Sequence, residues 1–222
     1  MIDATTRPAG RHRRVPAIAL LIGASAILGL GLGVGLHVLR AWTAAPRSTL
    51  SLPAFHGQAV WSPGSRRAPG FALRDQRGSL VSLGGLHGRA VAITFLDSHC
   101  RKACPVEGRE LGEIARSLPP SERPTLLIVG VNPAGDTPAS ARAAAARWRI
   151  TGDWHWLFAK PSQLASVWRD YGIVVRPQTD DIAHSVALYL VDKRGFERTG
   201  YLFPFAPAFV ARDLRTLARE HA

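Results

Sequence analysis

From Val15 to Leu36 the chain runs 22 positions without a charged side chain, and this stretch limits the fold more than any other. As a helix it is about 33 Å long, against a hydrocarbon core of about 30 Å. A segment in lipid must satisfy its own backbone polar groups, which a helix does. Arg7, Arg11, Arg13 and Arg14 precede it, while His37 and Arg40 follow. Positive charge is denser on the N-terminal side, which predicts a cytoplasmic N-terminus and export of everything after Arg40. Thr43-Ala44-Ala45 offers small residues for signal cleavage. The apolar part of a signal peptide is about 7–15 residues, however, so an uncleaved single-pass anchor is expected. The chain then divides into a cytoplasmic tail (1–14), a transmembrane anchor (15–39), a linker (40–67) and a domain (68–222) on the exported, periplasmic or extracytoplasmic side. Pro46, Pro53, Pro63 and Gly64 mark the linker, a composition suited to a tether.

The formal charge is +12, with 28 basic and 16 acidic side chains among 222 residues. The basic residues are scattered along the domain rather than gathered in a stripe between aromatics, so no nucleic-acid partner is expected. Two cysteines are too few for a disulfide scaffold or a four-cysteine zinc site.

Within the domain, apolar runs of strand length alternate with helical patterns. Residues 71–74 and 80–83 read as a hairpin around Gly78, followed by a strand at 90–96. A helix is expected at 105–117, with Pro105 in its first turn and Val106, Leu111, Ile114 and Leu118 on its apolar face. A buried strand at 125–131 precedes a helix capped by Thr137 and running to Trp148. A strand at 154–159 leads to a helix capped by Ser162 and ended by Gly172. Strands at 185–191 and 196–201 and a closing helix through Phe209, Val210, Leu214 and Leu217 complete the order. This succession predicts an α/β fold, a three-layer α/β/α sandwich with a mixed sheet.

Cys100 and Cys104 sit where the 90–96 strand turns into the following helix. Unpaired backbone N–H groups at a helix start favour thiolate, and Arg101 and Lys102 are expected to push the same way. Three uses are open. A structural disulfide would close a five-residue loop, which chain entropy values at about 2 kcal/mol. A redox-active dithiol fits an exported location. A metal site fits the spacing: Cβ atoms at i and i+4 on a helix are about 5–6 Å apart, whereas a relaxed disulfide has about 3.5–4.5 Å. Two thiolates select Cu(I) or zinc and need a further ligand from elsewhere. His184, before a buried strand, is the candidate; His99 ranks below it because consecutive side chains diverge, and His155 reads as packing.

Four segments in order carry a family resemblance: Ala68-Pro-Gly-Phe71, Cys100-x-x-x-Cys104-Pro105, Asn132-Pro-x-x-Asp136-Thr137-Pro138, and Ile182-Ala-His184-Ser185 with Tyr189-Leu-Val-Asp192-x-x-Gly195. Residues 68–222 resemble the SCO/SenC family of membrane-anchored, thioredoxin-like copper proteins. The resemblance implies a thioredoxin-like fold and a copper ion, Cu(I) or Cu(II), held by Cys100, Cys104 and His184. It also implies delivery of copper to the copper-site subunit of cytochrome c oxidase, or reduction of that subunit's cysteines. A thiol reductant or copper donor in the exported space is implied as a further partner. Asp136 would support the ligands or cap the next helix. The alternatives are a thiol-disulfide oxidoreductase or a redox-signalling protein using the same pair. The chain departs from the family pattern at Asp97-Ser98-His99, where aromatic and Thr residues are usual, at Arg101-Lys102, where Pro-Asp is usual, and at Asn132, where the family has an acid.

Overall fold

A computed structural model describes residues 55–178 and 181–220. The anchor segment and the first part of the linker lie outside these residues. Among the described residues no helix is long and apolar enough to cross a membrane. Ten strands and four α-helices follow in order: β1 (Ala59–Val60), β2 (Ala72–Arg74), β3 (Leu80–Ser82), β4 (Val91–Leu96), α1 (Ala103–Ser117), β5 (Thr125–Gly130), α2 (Pro138–Arg147), β6 (Trp154–Leu157), α3 (Pro161–Asp170), β7 (Val175–Pro177), β8 (Ile182–His184), β9 (Ala187–Val191), β10 (Glu197–Leu202) and α4 (Pro207–Arg219).

Six strands form the central sheet in the order β1-β10-β9-β4-β5-β6. β4, β5 and β6 are parallel, while β9 is antiparallel to both β4 and β10, so the sheet is mixed. Every residue of β4 and β5 is buried, and the period-2 alternation of a strand divides them between two cores. Ala92, Leu96, Leu126 and Ile128 face Leu111 and Ile114 of α1, Ala141 and Ala144 of α2, and Val210 and Leu214 of α4. Val91, Ile93, Phe95, Leu127 and Val129 face Leu164 and Val167 of α3 and the β2–β3 hairpin. Helices on both faces of one sheet complete the expected three layers.

The local reasons are mostly those the sequence offers. α2 opens with a capping box in which Thr137 and Ser140 satisfy each other's backbone N–H, with Pro138 in the first turn. α3 begins one residue before Ser162, because Pro161 takes the first helical position with Lys160 as its cap; the fixed φ of proline suits that place. α1 begins two residues before Pro105, at Ala103, and its expected apolar residue Val106 is 39% exposed.

Two features differ from expectation. Part of the stretch read as linker packs on the domain: β1 pairs with β10 through Ala59↔Gly200 and Val60↔Thr199, and Phe55 is buried beneath Arg198. A two-residue strand is too short to leave a periodic signal. The strand expected at 185–191 starts at Ala187, and His184 belongs instead to β8, which pairs with β7 in a separate hairpin through Val175↔His184.

Candidate metal centre

The parallel strand β4 ends at Leu96, and the chain turns through Asp97–Lys102 before α1. Asp97 shapes the turn: its Oδ1 accepts the His99 N–H at 2.9 Å and its carbonyl accepts the Cys100 N–H at 3.2 Å. Ser98 fastens the turn to α2, donating its N–H to Asp136 Oδ1 at 2.9 Å and its hydroxyl to the same oxygen at 2.6 Å. Lys102 caps α1 without a side-chain hydrogen bond, so the first-turn N–H groups are free to face a sulfur.

Both cysteines are free thiols; Cys104 is fully buried and Cys100 partly exposed. A hydrogen bond from Cys104 brings the Cys100 thiol down to about 6, assisted by the N–H groups of Lys102 and Cys104 and opposed by burial. Cys104 is pushed up by the same hydrogen bond and by its own burial. Hydrogen bonds, rather than the neighbouring cations, are thus the main cause. The expectation for Lys102 changes accordingly, since its Nζ lies 2.7 Å from Asp181 Oδ2.

That ion pair joins the cysteine turn to the chain entering β8, and β8 delivers His184. The imidazole Nε2 lies 3.5 Å from Cys104 Sγ, across 80 positions of sequence. Its Nδ1 is 3.0 Å from the Ser185 carbonyl oxygen. A carbonyl only accepts, so Nδ1 donates to it, and in the neutral ring this tautomer turns the Nε2 lone pair toward the sulfur. Two sulfurs and one oriented imidazole form a soft donor set suited to a thiophilic ion. The three donor atoms are not all within 4.8 Å of one another. Cys104 touches both partners, hydrogen-bonded to Cys100 and 3.5 Å from His184 Nε2, so the separated pair is Cys100 and His184.

The other expected residues separate cleanly. His99 is exposed, with its Nδ1 3.1 Å from Ser98 Oγ. His155 is anchored elsewhere, Nδ1 to Asp75 Oδ2 at 2.9 Å. Asp136 does not cap α2, a role Thr137 takes; it holds the cysteine turn through Ser98, and burial lifts its pKa to about 6 against those hydrogen bonds. Asp97, His99 and Asp136 place three possible ligand atoms within 4.8 Å of one another. The Ser98 hydroxyl bridges two of them, His99 Nδ1 at 3.1 Å and Asp136 Oδ1 at 2.6 Å.

Two departures from the family pattern explain each other. Asn132 Nδ2 donates to Asp97 Oδ1 at 3.1 Å, and Asn132 Oδ1 accepts the Gly135 N–H at 2.9 Å. An acid at 132 would set two carboxylates face to face; the amide turns the contact into a hydrogen bond. Sequence reasoning passed over Glu107, one turn into α1. It is fully buried, accepts the Thr94 hydroxyl at 2.5 Å, and burial raises its pKa to about 8. A helix-facing Glu three residues after a cysteine reads as a surface acid until the register of α1 is known.

The geometry has relatives. The SCO1/SenC family matches residues 62–219. The chain is 29% identical to the mitochondrial protein SCO2 homolog of Bos taurus over 195 residues, covering 81% of this chain and 68% of that one. It is similar to copper-bound ScoI of Bradyrhizobium japonicum, with 25% identity, a TM-score of 0.60, and 68% and 99% of the two chains covered. It also shares its fold with BsSco, described as having a disulfide switch and as a member of the Sco family of cytochrome c oxidase assembly proteins, at 20% identity, a TM-score of 0.63, and 74% and 100% coverage. With the thioredoxin-like mixed sheet in place and most of the domain spanned by the family match, the chain belongs to the SCO1/SenC family.

Proposed function

We propose that this protein is a membrane-anchored copper chaperone that binds one copper ion through Cys100, Cys104 and His184. It delivers the ion to the copper-site subunit of cytochrome c oxidase, or reduces that subunit's cysteines. Residues 15–39 are its transmembrane anchor, 1–14 remain cytoplasmic, and the domain works on the exported side. The observation that carries the reading is the His184 imidazole, whose Nε2 lies 3.5 Å from Cys104 Sγ while Nδ1 is tied to a carbonyl. A dithiol used only for disulfide exchange has no need of an oriented imidazole. Copper is cargo here: two thiolates and one imidazole hold it, and ligand exchange passes it on. Family membership and the copper-bound relatives support the choice of ion over zinc.

The test is copper titration of the reduced full chain. Saturation at about one Cu(I) per chain is expected, with His184→Ala losing more than the roughly 10- to 100-fold that loss of an outer partner costs a metal site. Unchanged affinity in His184→Ala would refute the three-ligand site. One observation favours thiol exchange as an accompanying activity: Cys100 is the more exposed sulfur and has the lowered pKa, as the attacking thiol of an exchange pair requires.

A further inference from the structure

Beside Cys100 lies an open cleft of about 470 Å³ whose lining includes Ser98, Arg101, Arg109 and Arg147. Its three guanidiniums come from three elements: Arg101 from the cysteine turn, Arg109 from the second turn of α1, and Arg147 from the last position of α2. Arg147 is aimed by a 3.3 Å hydrogen bond from Nη2 to the Ser98 carbonyl. Among the described residues, no carboxylate oxygen lies within 4.0 Å of these guanidiniums, although Arg66, Arg89 and Arg198 are paired elsewhere in the fold. Of the nearby acids, Asp136 Oδ1 is held by Ser98 and Asp97 Oδ1 by Asn132, while Glu110 interacts with Arg109 through charge without a direct ion pair. On the other side of the turn, a mostly apolar groove carries Asp97 and Asp181 among Val131, Trp168 and Ile182. An anion approaching the turn therefore meets its excess of positive charge on the Arg101, Arg109 and Arg147 side.

We propose that this cleft binds a carboxylate-bearing thiol of tripeptide size, the reductant that returns the cysteine pair to the dithiol form. Small-molecule sites commonly measure about 300–1,000 Å³, and three unpaired guanidiniums match a ligand with two carboxylates. Cys100 lines the cleft and Cys104 does not, which fixes the order of exchange. The ligand thiolate attacks Sγ of Cys100 in the oxidised pair. The Cys100–Cys104 bond breaks, and Cys104 leaves with the electron pair and takes up a proton. A second ligand thiolate attacks the ligand sulfur of the mixed disulfide, releasing Cys100 as thiolate. Overall, one protein disulfide and two thiols become one protein dithiol and one small disulfide, with two electrons transferred. This deepens the proposed function, since the pair must be reduced before it takes copper.

The test is metal-free reduction of the oxidised full chain by reduced glutathione, β-mercaptoethanol and cysteamine, which are anionic, neutral and cationic at their non-thiol ends. Rates are compared per thiolate. Glutathione is expected to react about tenfold faster than cysteamine, at the low end of the 10–10³ range for charge-lined clefts, with saturation at high concentration. S-methylglutathione, which cannot exchange, is expected to compete. Arg101→Gln and Arg109→Gln, both at exposed positions, should each lower the glutathione to β-mercaptoethanol rate ratio about threefold. Equal per-thiolate rates for the three reagents, or no saturation and no competition, overturn the site. Competition by a glutamate-rich peptide but not by S-methylglutathione also overturns it, and makes the cleft a protein-docking surface. Copper stoichiometry is scored separately on the reduced chain, so failure here leaves the copper reading to stand or fall by itself.

Discussion

Cys100 and Cys104 are chemically unequal although four residues apart. The exposed sulfur is held toward thiolate, to about 6, and the buried one toward thiol. Alkylation of the reduced chain by iodoacetamide is therefore expected at Cys100 alone, with a rate that rises through a midpoint near pH 6 as the thiolate forms. Peptide mapping across a pH series checks both points, and equal labelling of the two cysteines would contradict the assignment. Asn132 gives a second test at this scale. Asn132→Asp replaces the donor to Asp97 with a second carboxylate, and a loss of about 1–3 kcal/mol is expected near neutral pH. Asp97→Asn in the same chain should restore part of it, an interaction a double-mutant cycle in urea would read directly.

At the scale of elements, α1 is where close packing is most demanding. A Cβ at Gly112 would come within 2.5 Å of the Arg149 carbonyl oxygen, and one at Gly108 within 2.4 Å of the Trp148 ring. The obstacle at Gly112 is backbone and cannot swing aside. Gly112→Ala is thus expected to cost about 1–3 kcal/mol, read as a lowered urea midpoint with an unchanged slope. The glycine spacing of α1 is visible in the sequence, but the partner it admits is not. What was legible follows the same line. The buried runs of β4 and β5, the Thr137 cap and the pairing of Cys100 with Cys104 are local patterns, and the chain shows them directly. The choice of His184 drew on its neighbours Ile182, Ala183 and Ser185 and on the family resemblance. β1, β7 and β8 left no such trace: strands of two or three residues carry no period, and no turn residue marks these as Gly78 marks the equally short β2 and β3. The basic cleft was hidden because Arg101, Arg109 and Arg147 meet only when α2 is laid beside the cysteine turn.

For the whole molecule, one buried and one half-buried acid set a pH dependence. Glu107 moves from an ordinary 4.5 to about 8 and Asp136 from 3.8 to about 6, both chiefly through burial. The folded state then binds more protons than the unfolded state between those limits, so the slope of unfolding free energy with pH is negative. These groups stabilise the fold below about pH 4, and their contribution is lost as pH rises toward 8. Chemical denaturation of Glu107→Gln across this window is expected to give a flatter profile, with the Thr94 hydrogen bond kept by the amide oxygen. The two-stranded piece bearing His184 stands apart from the six-stranded sheet and is clasped to the cysteine turn by the exposed pair Lys102–Asp181. Val175 and Ile182 of the same piece pack against the core of the main sheet, so buried apolar contacts seat the strand that carries the imidazole, and the surface ion pair adds little to that hold.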